Sequence, residues 1–191
     1  MELKTSFEGP PRVRHSFDPK GWQKDSIVWY SQEITRRLGM ARFFDYVERF
    51  DDGNRDVTGG PGEIDGLTEA WLMSSLAISG DEQVRFLHRF LTGRLPISSD
   101  ASRMVREIVP VFKGPDGWSV HGKTGSGRLR DHDGRSASDR PLGWFVGWAE
   151  KQDRKVIFAR LLVADRAHDE PLSFRTRDGL IFDLGTLLAE N

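Results

Sequence analysis

The chain has 191 residues, of which 37% are hydrophobic and 30% charged, with a formal net charge of −1 and no cysteine. That is enough chain for one domain with a buried core, and the composition is too apolar for a disordered segment. Disulfides and thiolate metal sites are excluded, and the dispersed Lys and Arg residues offer no basic tract for nucleic acid or a membrane surface. The histidines (His15, His88, His121, His132 and His168) are scattered without metal-ligand spacing, so neither a metal nor a cofactor is expected. MELKTSFEGPPRVR at the N-terminus lacks the apolar core of a signal peptide, and no run of about 18 apolar residues suggests a membrane-spanning helix. As written, the sequence reads as that of a cytoplasmic protein.

In chain order, residues 1–24 read as an irregular segment, because Pro10, Pro11 and Pro19 interrupt any periodicity. The remainder, 25–191, reads as one domain. A helix is expected from Asp25, capped by Asp25 or Ser26, with Ile27, Tyr30, Ile34 and Leu38 at helical spacing and Gly39 as its stop. A second helix over 40–50 turns Phe43, Phe44, Val47 and Phe50 toward a core. Residues 51–66 form a glycine-rich loop, and a short helix around 68–76 carries Trp71, Leu72 and Leu76. Ser79 and Glu82 have the spacing of a capping box, ahead of a helix with Val84, Leu87 and Leu91 on one stripe and Phe86 and Phe90 beside it. Ser98 or Ser99 caps another helix, with Ala101, Met104, Val105 and Ile108 inward and Pro110 at its end.

The period then changes. Residues 117–124 read as a strand, 127–141 as a polar loop, Leu142–Glu150 as a second strand, and Lys155–Val163 as a third after a tight turn at Gln152-Asp153. An amphipathic helix over about 173–189 closes the chain, with Leu180, Ile181, Leu184, Leu187 and Leu188 on its apolar side. Helices first, then an antiparallel meander and a closing helix, make an α+β layout with helices packed on a sheet. In the stretch Trp118–Ser126 the first strand runs out into Lys123-Thr124-Gly125. An ammonium, a hydroxyl and a glycine at a strand end suit a carboxylate lying against the backbone; read alone the tripeptide is a weak signal, and a lysine there is usually just a solvated charge.

Six segments taken together carry more. DSIVWYSQEITRRLG, FDDGNRDVTGG, LTEAWLMSSLAIS, EQVRFLHRFL, GKTGSG and PLGWFVGWAE occur in this order. They closely resemble the class D serine β-lactamases (oxacillinases), within the wider group of penicillin-recognising enzymes, over roughly 22–188. The motif logic is that of the related S-x-x-K, S-D-N and K-T-G set. The resemblance implies a β-lactamase/transpeptidase-like fold, a β-lactam or peptidoglycan-like small-molecule substrate, no nucleic-acid partner, no membrane segment, and a periplasmic location.

It also implies roles for individual residues. Ser26-Ile27-Val28 matches the family's Ser-x-Val: Ser26 would relay a proton as a catalytic residue, and Val28 would be a hydrophobic wall. Read as a bare residue, Ser26 is a helix cap. Asp52-Gly53-Asn54 matches a Tyr-Gly-Asn loop, with aspartate replacing the aromatic wall and adding negative charge near a site for an anion. Trp71 matches the tryptophan whose indole N–H steadies a carboxylated lysine; it can equally be a core aromatic. Lys123, Thr124 and Gly125 match the K-T-G that binds the β-lactam carboxylate and lines the oxyanion side, with Lys123 counted as catalytic. Arg175 matches the arginine before the last helix that clamps the same carboxylate, with Arg177 the alternative; either could be a solvated arginine.

One motif is missing. The family's nucleophile and base come from a Ser-x-x-Lys, which places both side chains on one helix face, and the carboxylated lysine takes the serine proton and then activates water. The 191 residues contain neither S-x-x-K nor T-x-x-K, and Ser16 to Lys20 is one residue too long. The expectation is therefore an N-terminally truncated domain lacking its first strands and nucleophile helix, unable to acylate. Its strand Lys155–Val163 would be an exposed edge open to self-association. The alternative is a non-catalytic remnant or interaction module with at most weak β-lactam binding.

Overall fold

Asp18, and not Asp25, opens the first helix. In this computed structural model, which describes residues 1, 10–72, 74–130, 136–166 and 168–189, the elements are α1 (Pro19–Asp25), α2 (Val28–Leu38), α3 (Met40–Phe50), α4 (Gly66–Glu69), α5 (Gly80–Leu91), α6 (Ser99–Ile108), β1 (Val111–Lys113), β2 (Ser119–Arg130), β3 (Ser136–Lys151), β4 (Arg154–Val163) and α7 (Leu172–Ala189). Helix α1, with a short 3-10 turn at Pro11–Val13, lies inside the segment expected to be irregular. Pro19 was read as a helix breaker, but it occupies the first helical turn, where the missing N–H has no intrahelical partner anyway. The Gly21 N–H donates to Asp18 Oδ1 at 2.6 Å, completing the cap.

The chain divides into two compact units, Met1–Ile78 with Thr92–Pro110, and Ser79–Leu91 with Val111–Asn191. The first is helical. Ile27, between α1 and α2, is fully buried with Phe17, Trp29 and Tyr30, and Trp22 stacks on Tyr30 with ring centroids 4.9 Å apart. Val47 of α3 packs with Val57 and Ala70, flanked by Phe43 and Leu76. Phe44 does not join them and is exposed, as are Met104 and Val105 of α6. Ser98 caps α6 as expected, accepting from the Ala101 N–H at 3.1 Å.

The second unit is a four-stranded antiparallel sheet in the order β1-β2-β3-β4, with α5 and α7 packed on it. Strand alternation sorts the side chains. Val120, Phe145, Ala149 and Phe158 form a core with Leu180 and Leu184 of α7. Burial of each of the Val, Leu and Phe side chains among them contributes about 1.5–3 kcal/mol. The opposite face presents Trp144 to Gly80 at the start of α5, and Trp148 to Phe90 near its end. The capping box forms: Glu82 Oε2 accepts from the Ser79 N–H and hydroxyl, both at 2.7 Å, and the Glu82 N–H donates to Ser79 Oγ at 3.3 Å. These bonds hold the Glu82 carboxyl below its ordinary pKa. This is the α+β architecture expected, with β2 and β3 longer than expected. The expected loop over 127–141 is strand at 127–130 and 136–141, and 131–135 lie outside the described residues.

Candidate functional site

Lys123-Thr124-Gly125 lies within a strand and not at its exit. The three residues pair with Val146, Phe145 and Trp144 of β3, and β2 continues to Arg130. The glycines around them allow close strand approach and do not end the strand. A Cβ on Gly147 would stand 1.9 Å from the His121 carbonyl oxygen, and one on Gly122 would stand 2.7 Å from the Phe145 ring. The pleat places Thr124, beside Phe145, on the face that α7 covers, and Lys123, beside Val146, on the opposite face. Lys123 Nζ donates to the Thr124 carbonyl at 2.8 Å. Gly125 is exposed.

One edge of β2 is open beside them. β1 pairs with β2 only at Ser119–His121, and from Gly122 onward no strand covers that edge among the described residues. An edge strand presents backbone donors and acceptors to a ligand lying along it.

Helix α7 begins at the far end of this edge. Ser126 Oγ and Ser173 Oγ are 2.7 Å apart, and the buried Thr176 hydroxyl donates to the Gly143 carbonyl at 3.0 Å. The sequence reading missed Ser126, Ser173, Thr176 and Gly143. The one available signal was period two, which puts Ser126 on the face of Thr124. Arg175 is exposed in the first turn of α7, and its Nη1 lies 3.4 Å from His168 Nδ1. Arg177 is held otherwise: it pairs with Asp178 at 2.7 Å, and its guanidinium lies 5.1 Å from the Phe112 ring and 5.1 Å from the Phe174 ring. Of the two arginines, Arg175 has the guanidinium less engaged in packing.

The remaining candidates belong to the first unit. Ser26 is not the helix N-cap expected. It is the left-handed C-cap of α1, at φ 53° and ψ 54°, and Ile27 stands at the N-cap of α2. The sharp turn between two helices needs one residue with positive φ. Val28, the first residue of α2, is partly exposed. Asn54 braces its loop: Nδ2 donates to the Ser75 carbonyl at 2.8 Å, and Oδ1 accepts from the N–H groups of Ala77 (3.0 Å) and Asp56 (3.2 Å). Gly53 beside it, at φ +54°, would drive a Cβ to 2.0 Å from the Ala77 carbonyl oxygen. Thr58 donates to Asp56 from its hydroxyl and its N–H, holding that carboxyl below its ordinary pKa. Trp71 follows α4 in a turn, where a helix over 68–76 was expected; its indole Nε1 is buried with no hydrogen-bond partner among the described residues. Asn54→Ala is expected to destabilise this unit by about 1–2 kcal/mol, because the acceptors and donors of both segments lose their partner together. Urea denaturation measures it.

The penicillin binding protein transpeptidase domain family matches residues 5–175 of the chain. The β-lactamase OXA-9 of Klebsiella pneumoniae is 47% identical over 189 residues, covering 98% of this chain and 69% of that protein. The chain belongs to the class D β-lactamases. The crystal structure of the class D β-lactamase OXA-427, 42% identical, superimposes with a TM-score of 0.91 over 100% of this chain and 78% of that one. The OXA-1 β-lactamase of Escherichia coli is 34% identical over 172 residues, covering 88% of this chain and 59% of that protein. The α+β architecture of this class D chain is thus the β-lactamase/transpeptidase-like fold.

Proposed function

We propose that this class D chain recognises β-lactams by their carboxylate along the open edge of β2, and that it does not form an acyl-enzyme with them. The observation that carries the reading is the placement of Lys123, Thr124 and Gly125 beside a strand edge without a strand partner among the described residues. In this reading Lys123 and Thr124 supply a charge-assisted contact to the carboxylate, Gly125 lets the ligand approach the backbone, and Arg175 adds a second cation. Ser26 matches the family's proton-relay serine, a role left without a nucleophile to serve in these 191 residues, and Val28 and Asn54 are substrate contacts. Trp71 stands where the family's base-orienting tryptophan does, and its buried indole N–H, with no acceptor among the described residues, is consistent with a base that these residues do not supply. Hydrolysis is the activity of the family, but these 191 residues contain no Ser-x-x-Lys to supply nucleophile and base. The periplasm is the location we infer from the family. No helix among the described residues is long and apolar enough to cross a membrane.

Titration calorimetry with benzylpenicillin tests the recognition step. Lys123→Ala is expected to weaken binding by at least about tenfold, the effect of losing one charge-assisted hydrogen bond. Unchanged affinity would remove Lys123 from the site.

A second reading, self-association, has its own observation. β4 is paired on one side by β3, and no strand pairs its other edge among the described residues; Leu161 and Val163 are each 41% exposed. We propose that two copies pair through these edges. Multi-angle light scattering during size exclusion is expected to show a dimer that Leu161→Lys converts to monomer, since a charge on an edge opposes pairing. A monomer at all concentrations counts against it.

A further inference from the structure

Two buried hydroxyls stand where α7 first meets the sheet, and no role assigned so far uses them. Ser173 is 2% exposed and Thr176 is fully buried. Farther along the helix the contact with the sheet is apolar, with Leu180 and Leu184 against Val120, Phe145 and Phe158. Apolar packing is non-directional, so it holds α7 down without fixing where along the strands the helix sits. A hydrogen bond has a short length and a preferred angle, and it does fix that position. The two hydroxyls tie the first turn of α7 to different strands. Thr176 Oγ1 donates to the Gly143 carbonyl of β3 at 3.0 Å, and Ser173 Oγ meets Ser126 Oγ of β2 at 2.7 Å.

We infer that Ser126 and Ser173 are positioning residues for carboxylate recognition: their bond sets where Arg175 stands relative to Lys123-Thr124-Gly125. The inference rests on the reading of Arg175 as the second cation of that site. Ser126 directly follows Gly125 on β2, and Arg175 follows Ser173 by two residues in the same turn of α7. That separation is about 3 Å along the axis, at roughly 1.5 Å per residue, so a shift of Ser173 is carried into the Arg175 backbone. The Arg175 guanidinium has no buried anchor among the described residues: it is exposed, and its Nη1 lies 3.4 Å from the His168 ring nitrogen. Its placement therefore comes from the helix. Of the two hydroxyl bonds, the Thr176 one leads to β3, and the Ser126–Ser173 one joins the arginine's helix to the strand that carries the lysine. Two cations on separate elements hold one carboxylate only while their spacing is kept, because charge-assisted hydrogen bonds depend on geometry.

Titration calorimetry of benzylpenicillin against the 191-residue chain and its variants tests this. Arg175→Ala is expected to weaken binding about tenfold, and Ser126→Ala and Ser173→Ala each at least about threefold. Ser126→Thr keeps the hydroxyl at an exposed strand position and is expected to bind as the unaltered chain does. In the Arg175→Ala background, Ser173→Ala is expected to change affinity by less than about twofold, because the arginine it places is gone. A merely structural role would give the same loss with and without Arg175. That additivity, full affinity in either alanine variant, or a Ser126→Thr as weak as Ser126→Ala would each overturn the inference while leaving Arg175 in the site. Unchanged affinity in Arg175→Ala would instead remove Arg175 from the site, and this inference with it; the contact through Lys123 is decided separately by Lys123→Ala. Should Ser173→Ala fail to fold, the same cycle run with Ser126→Ala decides it.

Discussion

Gly143→Ala is expected to lower the stability of the sheet unit by about 3 kcal/mol or more, the cost of forcing an atom into closed packing. Gly143 lies where α7 crosses β3. A Cβ there would stand 2.4 Å from the Leu172 carbonyl carbon and 2.4 Å from the Ser173 nitrogen. Both are backbone atoms, so no rotamer change relieves the clash, and the start of α7 must lift. Lifting it weakens the Thr176 bond to the Gly143 carbonyl and the Ser126–Ser173 contact. It also opens the core that Leu180 and Leu184 close over Phe145 and Val120. Gly125→Ala is the control: its Cβ would meet only Trp144 Cβ at 3.7 Å, an ordinary contact, and little change is expected. Thermal melting of the two variants measures the difference. A stable Gly143→Ala would mean that α7 docks elsewhere.

Incubation with benzylpenicillin is expected to leave the mass of the intact chain unchanged. Acylation needs a serine hydroxyl within hydrogen-bond reach of a base. The family draws both from residues three apart on one helix face, and no such pair occurs in these 191 residues. Ser16 precedes α1 while Lys20 lies in its first turn. Ser26 is a left-handed cap with Trp29 three residues later. Losing a nucleophile of this kind costs a rate factor on the order of 10⁶ in a serine hydrolase, so no slow residual adduct should accumulate. Intact-protein mass spectrometry reads the outcome directly. A penicilloyl adduct, mapped by peptide digestion to any serine, would overturn the claim that the chain does not acylate. This result is independent of the calorimetry with Lys123→Ala, which concerns binding alone.

The features legible in the sequence were those set by neighbours in the chain. The Ser79–Glu82 box and the α6 cap depend on residues three apart; the box formed as read, and of Ser98 and Ser99 it is Ser98 that caps. The β2–β3–β4 meander followed from period-two patterning and short connections, and the class D resemblance from six ordered segments. The misreadings had one origin. Pro19 was judged by its type and not by its position in the turn. Phe44, Met104 and Val105 face inward by periodicity alone, yet all three are exposed. Lys123–Gly125 looked like a strand end because glycines follow it.

By itself the sequence determined the family, the element order and the local caps, because each is written in residue identity and short spacing. Only the tertiary structure decided where those residues stand. It placed Lys123-Thr124-Gly125 inside a long strand, since pairing with Val146, Phe145 and Trp144 overrides glycine's weak strand preference. Among the described residues it left that strand's other edge without a strand partner from Gly122 onward, and it brought Ser126 to Ser173 across 47 residues of chain. Those outcomes rest on strand pairing and side-chain contacts between distant segments, which no local pattern encodes.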